Sequence, residues 1–356
     1  MFPLFKQMAF RKFRREETHR HELNYLFWEC TTRCNLNCRH CGSDCRMDST
    51  HPDMPLEDFL RALDTIEKPA ENFIVALTGG EPLLRKDLET AGMEIRKRGM
   101  RWGMVSNGQL YDRERHKSLL NAGMGALTIS VDGLEETHDW LRDRPGSFAR
   151  VDRAIELAAD SKRLNFDVVS CINRRNLHEL PSIYNYLFSK GVKAWRLFTI
   201  IPIGRAKEDP DLLLGDTEFK EMLDFIAEFR TKGNMDVKFS CEGFVGAYES
   251  KVRDTPFFCR AGINIGSILI DGSISACPNI DSSIIQGNIY RESFHRIWES
   301  RFTPFRDRSW TRKGMCSACK DYSDCQGNGF HNWHGEMLSP LVCHKGKLEG
   351  INCCLL

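Results

Sequence analysis

The chain has 356 residues, 41% apolar and 28% charged, enough for one large core plus a smaller unit and too apolar for disorder. Its net charge of +1 supplies no general attraction to nucleic acid. Apolar runs such as 263–270 are too short to cross a bilayer and no secretory signal is visible, so a cytoplasmic protein is expected.

Residues 1–22 carry Lys6, Arg11, Lys12, Arg14, Arg15 and Arg20 among Phe2, Phe5, Phe10 and Phe13. This extension reads as an amphipathic helix packed on the open side of the core, with weak membrane contact as the alternative. From 23 to 230 two periods alternate. A strand at 23–30 is followed by Leu56, Phe59, Leu60, Leu63 and Ile66 at helical spacing. A strand at 73–78 precedes the stripe Leu84, Leu88, Ala91 and Ile95, and short apolar strands follow at 102–106 and 126–131. Ser147 is expected to cap a helix bearing Phe148, Val151, Ile155 and Ala158. A strand at 166–172, a helix at 177–188, a strand at 195–201 and a helix bearing Phe219, Met222, Leu223 and Ile226 complete the series.

About six strand–helix units of this kind predict an α/β fold with a parallel sheet, either open or curled into a barrel. Ligands then sit at the carboxyl ends of the strands. Cys34, Gly79-Gly80-Glu81-Pro82, Ser106-Asn107-Gly108 and Asp132-Gly133 all fall at such ends. Beyond Gly233 the pattern breaks into glycines, a small hairpin around Asp271-Gly272 and clustered cysteines, so residues 235–349 form a second unit held partly by metal, with 350–356 as a tail.

Fifteen cysteines in a long chain without an export signal point to metal rather than disulfides. Cys34, Cys38 and Cys41 place three thiolates within eight residues. A three-thiolate iron–sulfur cluster would leave one iron open, whereas Cys45 would complete a structural zinc knot. Two glycines that expose backbone carbonyls, followed by Glu81, suit an ammonium ligand beside that open iron. In the second unit Cys316, Cys319, Cys325 and Cys343 supply four thiolates, with a zinc ribbon as the alternative to a cluster, and Cys259 and Cys277 lie upstream.

Cys34-x3-Cys38-x2-Cys41 with Gly79-Gly80-Glu81-Pro82 resembles the radical S-adenosylmethionine superfamily. The resemblance implies a partial (β/α)6 TIM-type barrel over 23–230 and a catalytic 4Fe–4S cluster on Cys34, Cys38 and Cys41. It implies S-adenosylmethionine as cofactor, its amino group held by Gly79, Gly80 and Glu81 and His40 near its adenine. Ser106, Asn107, Ser130 and Asp132 would line its carboxylate and ribose, and Arg205, in IPIGRA, would reach it. Capping, turn and rim roles are the alternatives for these residues.

The second unit resembles the SPASM domain, which implies one or two auxiliary 4Fe–4S clusters. Cys316, Cys319, Cys325 and Cys343 would hold the outer one, and Cys259 and Cys277 belong to the inner one. Where that family has a further cysteine, four residues after Cys325, this chain has Gly329. Cys241 or Cys353-Cys354 would make up the shortfall; otherwise the inner cluster has an open iron or is missing.

The expected reaction is reductive cleavage of the cofactor to a 5′-deoxyadenosyl radical that abstracts hydrogen from a ribosomally made peptide or protein. Ferredoxin or flavodoxin would serve as the low-potential donor. Tailoring of a porphyrin or quinone precursor is the second expectation, and an electron-transfer or scaffold protein the third. Pro278 stands where sulfatase-maturing relatives place a basic Asp, and only about twenty residues precede the first strand, too few for a peptide-recognition domain. The terminal Cys353-Cys354-Leu355-Leu356 fits a prenylation box by form alone, and no anchor is expected.

Overall fold

The computed structural model describes residues 2–67 and 69–350, so Cys353 and Cys354 lie outside the described residues. After helix α1 (Leu4–Arg20) the strand–helix series runs β1 (Tyr25–Thr31), α2 (Leu56–Asp64), β2 (Ile74–Gly79), α3 (Leu88–Lys97), β3 (Arg101–Ser106), α4 (Arg113–Asn121) and β4 (Met124–Ser130). It continues through α5 (Glu135–Arg142), α6 (Ser147–Ala159), β5 (Asn165–Ile172), α7 (Leu180–Ser189), β6 (Ala194–Thr199), α8 (Asp216–Lys232) and β7 (Asp236–Phe239). Three short strands follow: β8 (Ile265–Ile268), β9 (Ser273–Ser275) and β10 (Gly287–Asn288).

All ten strands join one sheet in the order β10-β9-β8-β1-β2-β3-β4-β5-β6-β7. Pairing from β1 through β7 is parallel, and only β9 and β10 run antiparallel to their neighbours. The architecture is thus a mostly parallel sheet flanked by helices. Completely buried Trp28, Leu77, Ile129, Val168 and Leu197 on successive strands form its core with Leu63, Ile95, Ile155, Leu187 and Ile226 of the helices.

Several boundaries shift from the expected ones. The hairpin expected to be separate extends the core sheet, because β8 pairs in parallel with β1 from Tyr25↔Ile265 to Trp28↔Ile268. That pairing satisfies backbone groups that an outer strand would otherwise expose. Ser147 is the first residue of α6 and Gly146 takes the cap position; the Ser147 hydroxyl instead donates to Asp139, 2.9 Å away. Leu84 belongs to a separate turn, Pro82–Leu84, which Glu81 caps. Strand β7 went unforeseen because four residues show no period.

Helix α1 packs on the C-terminal unit rather than on an open side of the core. Arg11 forks onto the Asp324 carboxylate at 2.7 and 2.6 Å, Arg14 donates to the carbonyls of Ser323 and Asp324, and Phe10 meets Phe258 edge-on. Its basic residues are thereby partly neutralised, while Leu4, Phe5 and Met8 remain exposed. Among the described residues no helix is long and apolar enough to cross a membrane.

Candidate active site and cluster sites

The loop after β1 carries Cys34, Cys38 and Cys41, and neighbouring strand ends fix its path. Gly79 has φ +121°, and a Cβ there would stand 2.1 Å from the Thr31 carbonyl oxygen; one on Gly80 would stand 2.1 Å from that of Arg33. Only glycines permit this approach, which the Gly80 N–H to Thr31 and Glu81 N–H to Arg33 bonds lock, both at 2.8 Å. On the far side the 201–205 segment presses in. A Cβ on Gly204 (φ +55°) would fall 2.4 Å from the carbonyl oxygens of Cys41 and Gly42. Arg205 donates its backbone N–H to Cys41 (3.0 Å), Nε to the Cys38 carbonyl (2.7 Å) and Nη1 to Asp44 (2.6 Å). Its guanidinium therefore clamps the cysteine loop, the rim role that stood as the alternative to cofactor contact.

The Glu81 side chain is likewise engaged within the chain. Its completely buried carboxylate accepts from Ser106 Oγ (2.9 Å), Asn107 N–H (2.8 Å) and Leu83 N–H (3.1 Å). It therefore ties the β2 loop to the β3 loop, and the part-exposed Gly79 and Gly80 backbone is what faces the rim. Ser106 and Asn107 are buried members of the same tie, and Asn107 Nδ2 also lies 3.8 Å from Cys34 Sγ.

Burial pushes the Glu81 carboxyl up to about 7, against the opposing pull of its donors. A native pKa above the unfolded one means that the fold holds the proton more tightly. The stability this brings is complete below the ordinary carboxyl pKa of 4.5 and fades as pH rises through about 7. Chemical denaturation of metal-free protein at about pH 5 and about pH 8 should show wild type losing ~3 kcal/mol more than Glu81→Gln. Equal slopes in the two proteins would refute the shift.

The opposite wall is electrostatic. Asp132, completely buried, accepts from Cys171 N–H at 2.8 Å and pairs with Arg142 at 2.6 Å. Burial alone would raise this carboxyl, but Arg142, His40 and His138 outweigh it and hold it below the usual range. Arg142 in turn points Nη1 at Cys38 Sγ, 3.6 Å away. Asp132 is thus the counter-ion of Arg142, and Ser130 sits half-buried at the end of β4 beside it. Donor atoms of His40, Asp132 and Cys171 lie within 4.8 Å of one another, and His40 Nδ1 is buried without a partner. Burial lowers the His40 pKa to about 4, so the ring is neutral and offers a free polar atom to a ligand seated over the cysteine loop. These features fit a bound cofactor there.

Arg142 and Cys171 were not foreseen. The signal for Arg142 was present, since α5 buries Thr137, His138, Leu141 and Arg142 on one face and a charge on such a face needs a partner.

Cys34 and Cys45 are protonated when metal-free: burial raises Cys34 to about 11 and Cys45 to about 12, the latter with help from Cys41, Glu29 and Cys34. Iron binding must therefore release protons. In the second unit Cys316, Cys319, Cys325 and Cys343 line one hollow of about 420 Å³, and the Gly346 N–H donates to Cys343 Sγ at 3.3 Å. Cys241, Cys259 and Cys277 are also gathered: burial pushes Cys277 up to about 12, and the charges of Cys241 and Cys259 add to it. Cys241 is accessible, yet burial still raises its thiol. Cys241 follows β7 at one margin of the sheet, whereas Cys259 and Cys277 flank the β8–β9 hairpin at the other.

Comparison with known proteins agrees with this layout. The Radical SAM superfamily pattern matches residues 28–187, and the SPASM iron-sulfur cluster-binding domain pattern matches residues 259–320. The chain is 27% identical over 344 residues to the AdoMet-dependent heme synthase of Nitratidesulfovibrio vulgaris, covering 90% of this chain and 92% of that one. It is 26% identical to the Fe-coproporphyrin III synthase of Methanosarcina barkeri, covering 85% and 82%. Its fold is similar to that of anSMEcpe solved with AdoMet and the Cp18Cys peptide (TM-score 0.71, 20% identity, 93% of this chain and 95% of that one). With three thiols on the loop after β1, the Gly-Gly-Glu turn pressed against it and two further thiol groups beyond, the chain belongs to the radical SAM superfamily and is an enzyme with a C-terminal SPASM-type iron–sulfur domain.

Proposed function

We propose that this enzyme tailors an iron porphyrin, abstracting hydrogen from its propionate side chains. Bound S-adenosylmethionine on a catalytic 4Fe–4S cluster would supply the 5′-deoxyadenosyl radical, with Cys34, Cys38 and Cys41 holding the cluster. The Gly79–Gly80 backbone and His40 would receive the cofactor, while Arg205, Arg142 and Asp132 brace the loop beneath it.

The observation that carries the substrate class is a hollow of about 270 Å³ beside the 199–205 segment, whose other end clamps the cysteine loop. Its lining includes Pro202, Leu213, Leu214, Phe219, Leu341 and Val342, with Arg174 and Lys347 contributing cations. An apolar slot with cations suits one edge of a flat ring bearing carboxylates. Arg174 is half-exposed, and its pairs with Asp211 (3.3 Å) and Glu218 (3.1 Å) are surface contacts of small worth, so it can turn to a substrate.

Whole-chain similarity to a haem synthase and an Fe-coproporphyrin III synthase supports the same class, and the two named products differ by propionate side chains converted to vinyls. Each conversion would give one hydrogen atom to the 5′-deoxyadenosyl radical, release carbon dioxide and pass one electron to an oxidised iron–sulfur cluster.

Anaerobic incubation with reductant, S-adenosylmethionine and iron coproporphyrin III should give 5′-deoxyadenosine together with porphyrin lacking one carbon dioxide and two hydrogens per side chain. Arg174→Ala should raise KM for the porphyrin several-fold and leave kcat within about twofold. Formation of 5′-deoxyadenosine with no change in porphyrin mass would refute the substrate class and return a peptide as the leading alternative.

A further inference from the structure

The inner thiol group has three members, Cys241, Cys259 and Cys277, and a cubane held by protein alone needs a fourth ligand. We propose that His331 supplies it, making the inner auxiliary site a three-cysteine, one-histidine cluster. Position 329, where a cysteine would complete the set, is glycine. A Cβ built there would stand 2.5 Å from His331 Cε1 and 3.0 Å from Nδ1. The imidazole thus fills the space that a side chain at 329 would enter, with its Nδ1–Cε1 edge toward that position.

Three chain segments meet around this ring. The same Cβ would lie 2.7 Å from the Glu242 carbonyl oxygen, next to Cys241, and Asn332 Nδ2 contacts that carbonyl at 3.4 Å. On the other side the loop after Cys277 is tied to the residues following the ring: Asp281 meets His334 Nδ1 at 3.0 Å, and His334 Nε2 lies 3.1 Å from the His331 carbonyl oxygen. The imidazole therefore sits where the Cys241 and Cys277 segments converge.

A ligating histidine orients itself by donating its other ring N–H to an acceptor. Asn332 Nδ2 lies 3.2 Å from His331 Nε2, while Asn332 Oδ1 is buried without a partner. As placed, Nδ2 would donate to Nε2; turning the amide over gives up its 3.4 Å contact with the Glu242 carbonyl, lets Oδ1 accept Nε2–H and leaves the Nδ1 lone pair for iron.

The test needs no turnover. Anaerobically reconstituted full-length protein should hold about twelve irons, four for each of three clusters. After reduction, pulsed EPR should detect a directly coupled histidine nitrogen whose frequencies change when histidine is labelled with ¹⁵N. His331→Cys should keep about twelve irons, lose that coupling and shift the inner cluster to a more negative potential, as thiolate replaces imidazole. His331→Ala should lose about four irons, and His331→Ala/Gly329→Cys should regain them. About eight irons in the unmutated protein, no coupled histidine nitrogen, or a coupling that persists in His331→Cys would each overturn the proposal. Absence of a coupled histidine nitrogen in the unmutated protein overturns the proposal even where a variant fails to fold.

Discussion

Gly79→Ala should abolish iron loading at the front site while the second unit keeps its iron. Two costs combine at this position. A φ of +121° is poorly suited to an L side chain, and the added Cβ would lie 2.1 Å from the Thr31 carbonyl oxygen. That atom is backbone and cannot swing aside. Relief requires the 31–34 segment to move, which breaks the 2.8 Å bonds from Gly80 to Thr31 and from Glu81 to Arg33. Cys34 ends that segment, so the three thiols no longer share one site.

The expected destabilisation is about 3 kcal/mol or more, since backbone strain is joined by an overlap that cannot be relieved locally. Gly99→Ala separates the two causes: φ there is +76°, but nothing lies within 4 Å of the new Cβ. It should cost about 1 kcal/mol and leave iron content unchanged. Denaturation curves and iron analysis of both variants provide the check. Full iron loading in Gly79→Ala would show that the close approach does not hold the loop.

The contrast between these glycines also shows what the sequence could reveal. Residue types at strand ends were legible because near-continuous apolar strands and helical stripes fix where each strand stops. Every flagged loop indeed falls at the carboxyl end of its strand. The internal commitments of those residues were not legible. Glu81, Ser106, Asn107 and Arg205 stand where expected, yet their polar atoms are engaged with one another and with the cysteine loop. No one-dimensional pattern records which donor meets which acceptor across 25 to 167 positions. The same limit hid the pairing of β8 with β1 and the docking of α1 on Asp324. It also left Cys241 as one of several candidate ligands, since its neighbours Cys259 and Cys277 come from the opposite margin of the sheet.

Arg142→Met should be the most costly single change in the core unit. The guanidinium is buried between the Asp132 carboxylate at 2.6 Å and Cys38 Sγ at 3.6 Å. Removing it leaves a completely buried carboxylate without its counter-ion, which costs about 3–5 kcal/mol where the charge cannot be neutralised. Asp132 also accepts the Cys171 N–H, so it cannot turn toward water without breaking the link between β4 and β5. In Arg142→Met/Asp132→Asn no isolated charge remains, and the double variant should be more stable than Arg142→Met alone. That non-additivity, measured by denaturation of metal-free proteins, is the signature of a coupled pair; additive losses would refute it. A second readout concerns the cluster. A cation beside a ligand sulfur stabilises added negative charge, so Arg142→Met should shift the front cluster to a more negative potential than wild type. An unchanged potential would confine Arg142 to holding Asp132. A lowered potential would mean that one guanidinium both neutralises the floor of the site and sets how readily its cluster accepts an electron.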